Sequence, residues 1–270
     1  MAYWGILVTP ETSHKAKRHL RSMYETALAM RLDVQLFSEY NPCTVLMLYG
    51  LGGADRYPAA MEHKRGGKRF VTWDLGYWDR MTTPRTFRFS IDANHPKEVM
   101  QGDYLGPGRF ESAELAMGNV AKDSGPILLI GNGPKAVHTG AQGWAASKSK
   151  ELRRQFPGKQ ILYRPKPGKP IENGAEYDGL SHGLIDQALV GVSLVVTRHS
   201  NVAIDACRLG VPVVCDDGAG ACIYPQRLEM AHAQPDEATR MQFLHRLAWW
   251  QWRADEAVQA WKFIGEQVCG

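Results

Sequence analysis

Short, unbroken apolar runs alternate with helix-length amphipathic stretches along most of this chain, and that alternation is what most limits its fold. Ile127 to Ile130 and Leu194 to Val196 carry no polar residue at all. Strands that read this way are buried on both faces, as in parallel sheets covered by helices. A strand, a crossover helix and a second parallel strand form a right-handed unit, so repeated alternation predicts Rossmann-like layers. In the first half, strands are expected at 4–8, 44–49, 70–73 and 86–91. Helices are expected at 13–31, with Ala16, Leu20, Met23, Ala27 and Met30 on one face, and at 56–64, ending at Gly66-Gly67. A loose stretch covers 92–123. The second half predicts strands at 127–130, 160–163, 193–197 and 211–215, with helices at 145–156, 183–190 and 202–209. From about Pro235 the chain reads as helical to its end, with Phe243, Leu247, Trp250, Trp261 and Ile264 on its buried face.

The expected architecture is α/β, with two Rossmann-like domains facing a cleft: 1–120, 121–240, and a terminal helix, 241–270, returning toward the first domain and packing across both. At 270 residues and 30.1 kDa the chain is long enough for this. No apolar run reaches membrane-spanning length, and the start lacks a basic leader. Five cysteines without a CxxC pair suit reduced thiols, so a cytoplasmic protein is expected, in host cytoplasm if phage-encoded, with no structural zinc and no integral membrane contact. The formal charge of +4 is compatible with an anionic ligand or a nucleic acid.

The segment from Val195 to Cys215 carries the most chemistry. It reads as strand, turn, helix, turn, strand, with Ser200 as a cap for a helix beginning at Asn201, small Ala203 and Ala206 for close helix–sheet approach, and Gly210 ending the helix. A helix start at a strand's C-terminal end is an anion site. Arg198 and His199 add donors there, and Asp205 is placed to accept from a ribose. A plain Rossmann crossover, in which Ser200 only caps, explains the pattern equally well.

This stretch resembles the C-terminal half of GT-B glycosyltransferases, nearest to the capsule-polysaccharide and phage-type branch, where a similar Ser-xx-Ala-x-acid-Ala-xx-Gly-x-Pro-Val run binds the nucleotide of an activated sugar. Leu162-Tyr163-Arg164-Pro165-Lys166-Pro167 looks like that family's strand ending in a basic-Pro-basic turn, and Trp73-Asp74-Leu75-Gly76-Tyr77 looks like its acid-x-Gly-aromatic turn. Asp205 stands where the family commonly has Glu. The resemblance implies metal-independent transfer of a sugar from a nucleotide-sugar, with a UDP-sugar as the expected co-substrate and no further cofactor. Gly131, Asn132, Arg164, Lys166, Arg198, His199, Ser200, Asn201 and Asp205 are the donor-side candidates, and His182-Gly183 is a candidate contact for the base.

Transfer to a hydroxyl needs a general base. Asp74 is the first candidate and Asp55 the second; Glu11 and His95 also follow apolar runs. Each has an ordinary structural alternative, an Asx turn in the case of Asp74. Asp216-Asp217 are weak cation candidates, since adjacent carboxylates at a strand end tend to point apart.

Two basic clusters, His14 to Arg21 and His63 to Arg69, are either solvated helix faces or tracks for a phosphate backbone. Trp4, Trp73, Tyr77 and Trp78 beside them offer stacking surfaces. The acceptor expected from this is a hydroxymethylated pyrimidine in phage DNA, with Lys64, Arg65 and Trp78 as acceptor contacts. The alternatives are a surface or capsule glycan, and a non-catalytic nucleotide-binding module. The Trp249–Trp252 segment either touches a membrane or packs internally.

Overall fold

A computed structural model describes residues 2–79, 84–118, 124–133 and 140–269, except for the side chain of Cys269. The chain divides into two compact units, 1–96 with 249–270, and 97–248. The first begins with β1 (Trp4–Leu7), α1 (His14–Ala29), β2 (Val34–Phe37), β3 (Val45–Tyr49), α2 (Arg56–Arg65), β4 (Arg69–Leu75) and β5 (Thr86–Ile91). Ser13 caps α1 by accepting from Ala16 N at 3.4 Å, and the expected face, Ala16, Leu20, Met23 and Ala27, is buried. β2 was not expected from the sequence. It is a short, partly exposed edge strand that exists through its pairing with β1.

The second unit holds α3 (Gly108–Glu111), β6 (Ile127–Ile130), α4 (Trp144–Gln155), β7 (Ile161–Arg164), β8 (Gly179–Leu180), α5 (Ile185–Leu189), β9 (Leu194–Thr197), α6 (Val202–Leu209), β10 (Val213–Cys215) and α7 (Glu237–Leu247). Its sheet runs β10-β9-β6-β7-β8 with every pairing parallel. Ile127, Leu129, Ala145, Leu152, Tyr163, Val196 and Val214 share one core. The stretch read as loose is held onto this unit: Arg109 Nε donates to Ala248 O at 2.9 Å, and Arg246 Nη1 reaches Gly102 O at 2.9 Å.

The tail corrects the sequence reading. Instead of one long helix, α7 is followed by β11 (Gln251–Arg253) and then α8 (Ala257–Cys269). β11 pairs antiparallel with β5, completing a first sheet of order β11-β5-β4-β3-β1-β2. The cause is long-range: Gln251 faces Arg88 in the ladder, and its side-chain oxygen accepts from Tyr77 N at 2.7 Å. The expected apolar face is therefore split. Phe243 and Leu247 are buried in the second unit, while Trp250, Trp261 and Ile264 are buried in the first. Trp261 Nε1 donates to Met23 O at 2.8 Å and its ring meets Trp4 edge-on at 4.9 Å. Trp250 and Trp252 pack on Phe263 rather than facing outward. Among the described residues no helix is long and apolar enough to cross a membrane.

Candidate functional site

Because all pairings of the second sheet are parallel, the segments following its strands emerge at one edge, where ligands of such sheets bind. After β6 comes Gly131-Asn132-Gly133; Pro134 and Lys135, read as part of the same turn, lie outside the described residues. A Cβ on Gly131 would lie 2.3 Å from Tyr163 Oη, and one on Gly133 would lie 2.8 Å from Lys166 Nζ. Gly131 N also donates to Arg164 O at 2.9 Å. The two turns the sequence singled out are thus brought against each other, and glycine is what permits the approach. Asn132 Nδ2 is turned toward Ala141 O at 3.3 Å.

Arg164 is occupied. Its Nη1 donates to Ser181 Oγ at 3.2 Å and His182 O at 3.1 Å, and its Nη2 donates to Gly183 O at 2.5 Å. The guanidinium therefore fixes the segment after β8. Burial lowers its proton affinity, and Asp205 of α6 opposes that change. Lys166 is exposed on the same edge.

At the end of β9, Ser200 N donates to Thr197 Oγ1 at 3.2 Å and Ser200 Oγ accepts from Val202 N at 3.3 Å. The N-cap of α6 is Asn201, which makes no side-chain cap, rather than the expected Ser200; Ser200 stands one residue before it, and its Oγ accepts from Val202 N, the first helical residue. Arg198 O accepts from Asp217 N at 2.6 Å, tying the β9 and β10 ends together. Arg198, His199, Ser200, Asn201 and Asp205 are all half-buried.

Two residues at this edge had little sequence signal. Asp216 Oδ2 accepts from Trp144 Nε1 at 2.6 Å and lies 3.6 Å from Lys148 Nζ. Burial pushes the Asp216 carboxyl up, while Trp144 and Lys148 pull it back. Asp217 turns to Lys97 at 3.5 Å. Among the described residues no three His, Cys, Asp or Glu side chains gather to hold a metal.

The first sheet presents a different edge. Tyr49 ends β3, Asp74 lies near the end of β4, and the ladder sets Asp74 opposite Arg88 of β5. Asp74 Oδ1 accepts from Leu75 N at 2.8 Å and Oδ2 from Arg88 Nη2 at 3.4 Å. Arg88 is 4% exposed, gives a second bond to Asn94 O at 3.2 Å, and lies 5.4 Å from the Tyr77 ring centroid. Burial raises the Tyr49 phenol well above its usual range and Asp74 adds to this, against Arg88, Arg85 and Arg56. Asp55, at the start of α2, lies 3.7 Å from Arg56 Nε, and its carboxylate oxygens are buried without a hydrogen bond among the described residues.

The acceptor-side expectations change here. Trp4, Trp73 and Tyr77 are buried and offer no stacking surface; Trp78 is half-buried, and its carbonyl accepts from Thr86 Oγ1. His19 is buried against Phe87, stacked at 3.8 Å, and burial lowers its pKa to about 3. His63 is buried beside the Tyr40 hydroxyl at 3.3 Å. Neither basic run is a continuous charged face, because close packing inside the first unit takes these imidazoles from it. Lys64 and Arg65 remain exposed, Lys64 donating to Asp92 O at 3.2 Å. Of the other two base candidates, Glu11 is exposed, whereas His95 is buried with its Nδ1 3.3 Å from the Tyr77 hydroxyl.

No protein-family model matches the chain, and no curated protein sequence matches it. Solved structures match its fold, two of them sugar transferases. The Thermosulfurimonas dismutans KpsC beta Kdo 2,7 transferase is 14% identical, with a TM-score of 0.55 over 98% of this chain and 99% of its own. The beta Kdo 2,4 transferase of the same protein is 12% identical, with a TM-score of 0.55 over 92% of this chain and 91% of its own. At such identity the likeness speaks for the fold: α/β, with two Rossmann-like sheets, GT-B-like, as in these sugar transferases.

Proposed function

We propose that this chain is a nucleotide-sugar-dependent glycosyltransferase acting on a saccharide hydroxyl. The observation that carries the reading is the convergence, at one edge of the parallel second sheet, of the glycine turn 131–133, the Arg164–Lys166 turn and the start of α6 beside Ser200. The donor's phosphates lie over Gly131, Asn132 and the exposed Lys166, near Arg198, His199, Ser200 and Asn201. Fixed positive charge and helix-end N–H groups stabilise the departing phosphate. Asp205 accepts from the ribose. Arg164 acts by shaping the 181–183 segment around the base.

In the first unit, Asp74 takes the acceptor proton, with Asp55 the second candidate. Arg88 pairs with Asp74 and holds its carboxylate in place. Transfer needs no metal in this scheme, since the charges already named supply the electrostatics. A saccharide acceptor is favoured over hydroxymethylated DNA because Trp4, Trp73 and Tyr77 are buried and both basic runs lose a histidine to the interior. The whole-length likeness to two Kdo transferases points the same way.

The test is a donor screen that reads nucleotide release with saccharide acceptors, with hydroxymethylated duplex DNA and with plain duplex DNA. Release driven by a saccharide supports the proposal. Label entering only modified DNA restores the DNA acceptor, and tight nucleotide binding without release with any acceptor makes the chain a binding module.

A further inference from the structure

The two faces of β4 and β5 differ in kind. On one, Val71, Trp73, Phe87, Phe89 and Ile91 are apolar and buried. On the other, the ladder sets Thr72 opposite Ser90 and Asp74 opposite Arg88, and Arg88 in turn faces Gln251 of β11. Directly opposed residues of antiparallel strands share a face. Asp74, Arg88 and Gln251 therefore form one row across three strands of the first unit. This polar face is buried as well: Thr72, Ser90, Arg88 and Gln251 are each at most 4% exposed. Asp74 differs, with 22% of its side chain exposed. The row runs from the interior outward and ends on the carboxylate assigned as base.

The contacts on this face hold the row in one arrangement. Gln251 Oε1 accepts from Tyr77 N at 2.7 Å, and a Cβ on Gly76 would come within 3.0 Å of the same oxygen, so the turn after β4 is fitted to this side chain. The Tyr77 ring placed by that bond has its centroid 5.4 Å from Arg88 Cζ, within cation–π reach. The Tyr77 hydroxyl meets His95 Nδ1 at 3.3 Å, and Asn94 O accepts from Arg88 Nη1 at 3.2 Å. Arg88 Nη2 is directed at Asp74 Oδ2, while Nε is buried with no acceptor among the described residues. The aim of the guanidinium thus depends on the Tyr77 ring and the Asn94 carbonyl, not on a bond at Nε.

An apolar face would pack at lower cost, since buried polar groups recover little beyond their desolvation. What the polar row adds is orientation of its outermost member. We propose that Gln251 and Tyr77 are positioning residues: Gln251 anchors the Tyr77 backbone, the Tyr77 ring aims Arg88, and Arg88 holds the Asp74 carboxylate for proton transfer. This deepens the transferase reading and rests on it for Asp74 as the base. It gives β11, distant in sequence, a part in the chemistry of the first unit.

The experiment follows the Arg88 Nε–H resonance of the full chain by NMR, and in parallel kcat and KM with the donor and saccharide that give release in the screen above. Asp74→Asn marks where the resonance lies once the pair is lost. In Tyr77→Leu the resonance should move toward that position, and kcat should fall about ten- to a hundredfold with KM and nucleotide affinity unchanged. Tyr77→Phe, which keeps the ring, should recover most of both. Gln251→Leu, which lacks the acceptor, should act as Tyr77→Leu does, and it takes that variant's place should Tyr77→Leu not fold. Combined with Asp74→Asn, neither substitution should lower kcat further, because the group they position is gone. A residue that only stabilises the sheet would lower turnover by the same factor in both backgrounds. An Arg88 resonance that stays in place in both variants overturns the proposal, as do losses of kcat that add in full to that of Asp74→Asn. Release with an unmoved Arg88 resonance loses the positioning and keeps the transferase reading. If no donor and saccharide give release, that reading falls, and the Arg88 resonance alone decides whether Tyr77 and Gln251 hold the Asp74 pair.

Discussion

The two sheets carry charge at their C-terminal edges in opposite ways. In the second unit, most polar groups are tied to the backbone of neighbouring segments, Arg164 to the His182 and Gly183 carbonyls and Ser200 to Val202 N, with Lys148–Asp216 as an ion pair at the same edge. In the first unit, ionisable side chains pair with one another inside the protein: Asp74 with Arg88, Asp55 with Arg56. On the proposed reading, the second edge binds its ligand through fixed dipoles, while the first works through paired charges that are only partly exposed. Electrostatic interactions strengthen as water is excluded, so the first edge should respond more steeply to loss of a single charge.

The sharpest way to break this contrast is Asp74→Asn. Turnover should fall about 10²–10⁴-fold with nucleotide affinity unchanged, as expected for loss of a general base. Normal turnover in a steady-state assay would remove Asp74 from the chemistry and pass the role to Asp55.

Next in size is the acid limb of stability. His19 has a pKa of about 3 in the folded chain against an ordinary 6.5. Between those values the unfolded chain binds the extra proton, so the stabilisation is complete above 6.5 and is lost as pH falls toward 3. The slope is up to ~1.4 kcal/mol per pH unit. Burial lowers His63 as well, with the same sign. Denaturant melts of His19→Phe, which keeps a ring against Phe87 and Trp73, should show a flatter acid limb. An unchanged limb would mean that the imidazole is not buried neutral.

Arg164→Ala should free the segment after β8. A loss of about 1 kcal/mol is expected, since the His182 and Gly183 carbonyls are exposed and water replaces the guanidinium, with faster hydrogen exchange at 181–183 and weaker nucleotide binding. Exchange that stays slow would show the segment holding itself.

The smallest effect is Ser200→Ala, no more than about 1 kcal/mol of stability from the lost bond to Val202 N, with donor affinity falling a few-fold. A large affinity loss with no stability change would instead make the hydroxyl a direct ligand contact.

How much was legible depended on whether a residue's partner lay nearby in sequence. β6 and β9 were readable because strands buried on both faces are apolar throughout. β2, β8 and β11 were not: each is a short edge strand whose existence depends on a neighbour. The helical stretch expected from Pro235 onward is interrupted for the same reason, since Gln251 bonds to Tyr77, far away in the chain. His19 did carry a usable signal. It lies three residues after Ala16 and four before Met23, on the face that α1 buries. Counting it with the neighbouring lysines and arginines hid that.

The amino-acid sequence alone determined the parallel crossovers and the turn at Ser200, because apolar runs, caps and glycine turns act over a few residues. Only the tertiary structure decided that Asp74 meets Arg88 and that Arg88 in turn faces Gln251. Strand register chooses such partners, and a slip of one residue would turn each side chain to the other face.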